Sequence, residues 1–125
     1  PYTTLSDLDL KPHVEKLFSD PALVTRQLIN DLLAFKRIDG VQASLEMINA
    51  AFAPGGSQAL VLRDKIGDLA VPVLAIWGAG DQIVPANHAE GLPTNVRIKV
   101  MAGQGHMVQM EAASEVNQLI DELIG

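Results

Sequence analysis

The chain has 125 residues, 48% of them hydrophobic and 19% charged, with nine Lys and Arg against fifteen Asp and Glu for a formal charge of −6. Such a composition excludes a disordered chain, and its sign opposes attraction to nucleic acid or to anionic membrane surfaces. The absence of cysteine excludes disulfides, thiolate nucleophiles and cysteine-ligated metals.

Apolar residues at helical spacing predict three helices before Pro54-Gly55-Gly56: one around Val14, Leu17 and Phe18, one around Leu28, Ile29, Leu32, Leu33 and Phe35, and one around Leu45, Ile48 and Phe52. Asp20 is the expected N-cap of the second helix, with Pro21 at its first position, and Asp39-Gly40 separates it from the third. The breaker cluster divides the chain into a helical region, 1–56, and an α/β region, 57–125. Three helices without a sheet form a subdomain that has to pack on something.

Beyond the breaker, Leu60 to Leu69 reads as a short helix, and Val71 to Trp77 as a strand whose uninterrupted apolar character suits a sheet covered on both faces. In the next strand Val96, Ile98 and Val100 alternate with Arg97 and Lys99, which predicts an edge strand with its cationic side toward water. Parallel neighbours need a connection of about a dozen residues, so a crossover with helical content is expected around Ala86 to Glu90. An amphipathic helix over Ala113, Val116, Leu119, Ile120, Leu123 and Ile124 closes the chain, with Glu111, Glu115, Asp121 and Glu122 as its solvated side.

Open parallel sheets place ligands and catalytic groups beyond the carboxyl ends of their strands. Asp81 follows the first strand through Gly78-Ala79-Gly80, and His106 follows the second through Gly103-Gln104-Gly105. The glycines are expected to supply backbone conformations closed to other residues. A carboxylate on one imidazole nitrogen fixes the tautomer, and the other nitrogen then takes a proton from a nucleophile. Each residue also has an ordinary alternative, Asp81 as a turn former and His106 as a structural histidine. His13 and His88 read as surface residues and Trp77 as packing, while Met107 and Met110, flanking the histidine loop, read either as the lining of an acyl pocket or as core fillers. A metal site from Asp81, His88, Glu90 and His106 lacks a recognised ligand spacing, and Gly78-Ala79-Gly80 lacks the third glycine of a dinucleotide fingerprint.

VPVLAIWGAGDQIVP from Val71 to Pro85, with GQGHMVQMEAASEVNQLI from Gly103 to Ile120, resembles the C-terminal part of an α/β-hydrolase, in which nucleophile, acid and histidine follow one another along the chain. The resemblance implies Asp81 as acid and His106 as base, a helical cap in the first half, and an incomplete sheet made of the last two parallel strands. DPALVTRQLINDLLAFKRIDGVQASLEMI from Asp20 to Ile48 and NHAEGLP from Asn87 to Pro93 are similar to the acyltransferase (dihydrolipoamide acetyltransferase) component of acetoin dehydrogenase complexes. That family implies acetyl transfer between coenzyme A and a dihydrolipoyl group, other components of a dehydrogenase complex as partners, and a cytoplasmic setting. A serine-type ester or carbon–carbon bond hydrolase and a non-enzymatic interaction module remain alternatives.

The chain has no G-x-S-x-G elbow and none of the early strands that carry the oxyanion-hole donor. Gly55-Gly56-Ser57-Gln58-Ala59 mimics the elbow only loosely, because a helix end and a breaker precede it where a buried strand is required. The sequence starts at Pro1 with no initiator Met, as a processed or truncated product would. The chain is therefore expected to be inactive alone, to need the missing N-terminal half of the hydrolase domain, and to self-associate through its unfinished sheet.

Overall fold

Caps, prolines and backbone pairing set where each element starts and stops in a computed structural model that describes residues 6–125. The described residues divide into two compact units, one holding 6–14 and Ala22–Val61, the other Glu15–Pro21 and Leu62–Gly125.

In the first unit, helix α1 spans Asp7–Glu15. Ser6 caps it, its hydroxyl accepting from the Asp9 amide at 3.3 Å and donating to the Asp9 carboxylate at 2.5 Å. The helix was expected to run on to Phe18 but stops at Glu15, where the Phe18 amide closes a tighter turn onto the Glu15 carbonyl at 3.2 Å and the Leu17 carbonyl accepts from the Met107 amide. Helix α2 spans Arg26–Lys36, and its N-cap is Thr25, which accepts from the Leu28 amide at 3.1 Å, rather than Asp20. Pro21 instead opens a 3₁₀ turn over Pro21–Leu23, where its missing N–H is equally harmless. Gly40, at φ +82°, leads into α3, Val41–Phe52. Leu10, Val14, Val24, Ile29 and Leu33 are buried, whereas Met47, Ile48 and Phe52 of α3 are exposed.

The second unit is built on two parallel strands, β1 (Val73–Gly78) and β2 (Val96–Met101), paired from Val73 with Val96 to Gly78 with Met101. Leu60 to Leu69 is not the expected helix: only a 3₁₀ turn forms, over Asp64–Asp68, and the apolar Leu60, Val61 and Leu62 before it stay exposed. The crossover carries one 3₁₀ turn, Ala86–Ala89. Short helix α4 (Val108–Glu111) and the final helix α5 (Ala113–Ile124) follow β2.

Side chains alternate across a strand, so register assigns Ile76, Arg97, Lys99 and Met101 to one face and Ala75, Trp77, Ile98 and Val100 to the other. The first face carries the core, in which Met101, Val108 and Val116 pack with Ile76 and Ala112. The expectation for β2 holds in part: it is an edge strand with half-exposed cations, but these stand on the face that carries the core. Arg97 and Lys99 lie on the covered face and reach Glu122 and Glu115 of α5 at 2.9 and 3.0 Å, their stems crossing apolar surface to bring the charges to its rim. Ile98 and Val100, on the apolar stripe, are 41% and 46% exposed. No helix among the described residues is long and apolar enough to cross a membrane.

Candidate active site

Backbone pairing continues past the strand ends and ties the two following loops together. The Ala79 amide donates to the Met101 carbonyl and the Gly80 amide to the Gln104 carbonyl, both at 2.9 Å. Two glycines allow this approach by lacking a side chain. A Cβ on Gly78 would overlap the Gly105 carbonyl oxygen, and one on Gly105 would lie 2.7 Å from the Ser19 nitrogen. Of the glycines around the two loops only Gly103, at φ +76°, takes the left-handed conformation. The expectation of special backbone angles therefore fits Gly103, and close approach explains Gly78 and Gly105.

The loops bring Asp81 and His106 together, with Asp81 Oδ2 2.8 Å from His106 Nδ1. The other oxygen of Asp81 accepts from the amides of Ile83 at 2.8 Å and Val84 at 2.9 Å. Asp81 is thus both the turn former and the partner of the histidine, two readings that the sequence presents as alternatives. Trp77 contributes as well: its Nε1–H donates to the Val84 carbonyl at 2.8 Å, holding the residue whose amide holds Asp81.

The Asp81 side chain is 5% exposed and that of His106 34%. Burial pushes the Asp81 pKa up, but the Val84 amide, the His106 hydrogen bond, the Ile83 amide and the His106 charge together outweigh it and hold the carboxyl below its usual value. An ionised carboxylate only accepts, so Nδ1 of His106 donates and Nε2 keeps the basic lone pair. An imidazole oriented in this way is equipped to take a proton from a hydroxyl nucleophile. Beside it lies an open groove of about 260 Å³, lined by Ile76, Trp77, Gly78, Val84 and the pair itself.

His13 and His88 are exposed, and among the described residues no group of three or more His, Asp or Glu side chains is placed to hold a metal ion. Ser57 follows α3 and a 3₁₀ turn, without the strand an elbow needs. Sequence reasoning missed Glu111 and Ser19. Glu111 Oε2 accepts from the Gly105 amide at 2.6 Å, while Oε1 accepts from the Ser19 amide at 2.6 Å. The Ser19 hydroxyl lies 2.5 Å from the Gly103 carbonyl and 2.9 Å from Glu111 Oε1, so its one proton serves two acceptors. Glu111 shares helical spacing with Glu115 and Glu122, which disguises it as part of a solvated row.

Two parallel strands whose ends deliver first an aspartate and then a histidine onto one hydrogen bond belong to a piece with the fold of an α/β-hydrolase. A solved meta-cleavage product hydrolase from Pseudomonas fluorescens matches 97% of this chain and 46% of its own, with a TM-score of 0.82 at 23% identity. In sequence the chain is similar to the dihydrolipoyllysine-residue acetyltransferase component of the acetoin cleaving system of Cupriavidus necator, at 43% identity over 117 residues, 94% of this chain and 31% of that protein. Its counterpart from Pseudomonas putida is 48% identical over 109 residues, covering 87% of this chain and 29% of its own. The chain thus spans less than a third of the length of these two acetyltransferases. No family model matches it.

Proposed function

We propose that this chain is the acid-and-histidine segment of an acyltransferase that moves an acetyl group between coenzyme A and a dihydrolipoyl thiol. The 2.8 Å contact between Asp81 and His106 carries this reading, and the similarity to the two acetyltransferases selects the reaction. Asp81 orients His106 and stabilises its imidazolium; His106 Nε2 is the general base. The nucleophilic serine and the oxyanion hole belong to polypeptide outside these 125 residues. The serine oxygen attacks the acetyl thioester carbonyl as its proton passes to Nε2, and the thiol leaves with that proton. The second thiol then gives its proton to Nε2, attacks the acetyl-serine, and releases the serine as Nε2 returns the proton. Coenzyme A and the lipoyl group act as substrates, the other components of a dehydrogenase complex are the partners, and a cytoplasmic setting belongs to the same proposal.

The test is an acetyl-transfer assay on the full-length polypeptide that carries this segment, with acetyl-coenzyme A and dihydrolipoamide. Transfer that disappears in His106→Ala supports the reading. Transfer that survives His106→Ala overturns it, and consumption of esters without any thiol acceptor favours a hydrolase of the same fold.

A further inference from the structure

Glu111 sits five residues beyond His106 at the end of α4, and its carboxylate turns back toward the loop it has just left. The loop from Gly103 to Met107 lies against the backbone of residues 17–19: the Met107 amide donates to the Leu17 carbonyl at 3.0 Å, and Gly105 has room for no side chain against Phe18 and Ser19. Such close backbone contact creates a problem at its centre, because the buried amide of Gly105 needs an acceptor, and the more exposed amide of Ser19 is a second donor beside it. Glu111 supplies one with each oxygen, both at 2.6 Å, and charge-assisted bonds of this length are the strong ones. Gly105 immediately precedes His106, so the amide that Glu111 holds is one residue from the imidazole.

We infer that Glu111 is a positioning residue for His106: by joining Gly105 to Ser19 it fixes the loop from which the imidazole reaches Asp81, with the Ser19 hydroxyl as its helper. Asp81 and its turn hold the ring from one side, and Glu111 holds the backbone from the other. The catalytic consequence rests on the function proposed above; the positioning does not. A glutamine at 111 retains the length but replaces one acceptor by an NH₂ donor, leaving either Gly105 or Ser19 facing a second donor.

The experiment compares histidine-labelled full-length protein with its Glu111→Gln and Ser19→Ala variants, following the His106 Nδ1–H resonance by NMR. Wild type should show an Nδ1–H protected from water. Glu111→Gln should keep the fold by circular dichroism yet exchange that proton about tenfold faster, the change expected from losing a hydrogen bond to a charged group. Ser19→Ala should move exchange in the same direction by less. In the acetyl-transfer assay kcat should fall in Glu111→Gln with KM for acetyl-coenzyme A and for dihydrolipoamide unchanged. Unchanged Nδ1–H exchange in folded Glu111→Gln overturns the inference, whatever the activity. Should that variant not fold, unchanged exchange in Ser19→Ala does so. Full acetyl transfer by His106→Ala overturns the proposed function instead, and leaves the exchange result standing.

Discussion

Gly78 lies beneath the carbonyl of Gly105, so the last residue of β1 touches the residue before the histidine with no side chain between them. That contact ties the acid loop to the histidine loop. Gly78→Ala would force two backbones apart, and it is expected to destabilise the chain by about 3 kcal/mol, the upper end of ordinary overpacking costs. Urea unfolding measures this directly, and an unchanged midpoint would show that the loops separate easily.

Replacing the acid leaves the histidine without tautomer control. Asp81→Asn presents an amide that can donate to Nδ1 and so favours the form with the proton on Nε2. In full-length protein this should lower acetyl transfer by about four orders of magnitude, the scale seen when a serine triad loses its acid. Steady-state kinetics at neutral pH tests it, and a loss of only a few fold would remove Asp81 from the mechanism.

The acidic shift of Asp81 also makes a statement about stability. Its folded pKa lies below its unfolded one, so its contribution is fully present above the ordinary carboxylate value of about 3.9 and is lost as pH falls through the lower folded value. The gap in unfolding midpoint between wild type and Asp81→Asn should therefore be constant near neutrality and close only in acid. A gap that closes well above pH 4 would contradict the sign of the shift.

Without a serine elbow the 125-residue chain should show no acyl transfer above background. Co-expression with the remaining polypeptide should restore it, measured by thiol-dependent loss of acetyl-coenzyme A. Robust turnover by the purified chain, abolished in His106→Ala, would place the nucleophile within these residues.

Ile98 and Val100 stand exposed on a two-stranded sheet, and both strands have one edge unpaired among the described residues. Such surfaces associate. Light scattering should report species larger than a monomer, reduced in an Ile98→Lys variant. A monodisperse monomer at high concentration would refute this.

The placement of Asp81 and His106 and the two strands could be read in the sequence because each depends on local pattern: an apolar run or an alternating stripe, a glycine turn, then a polar residue. What escaped depends on long-range pairing. After helix α1 the Leu17 carbonyl answers Met107, ninety positions away. Arg97 and Lys99 stand half-exposed on the face that carries the core, where they meet glutamates of α5, and alternation cannot reveal which stripe is covered. Glu111 was masked by a helical spacing shared with truly exposed acids, and Ser19 had no motif at all.

The two oxygens of Asp81 divide their work, one closing the turn onto Ile83 and Val84 and the other meeting His106. Closing the turn and aligning the carboxylate on the imidazole are thus one event at one side chain. Whatever loosens residues 81–84 therefore also loosens the carboxylate that meets His106.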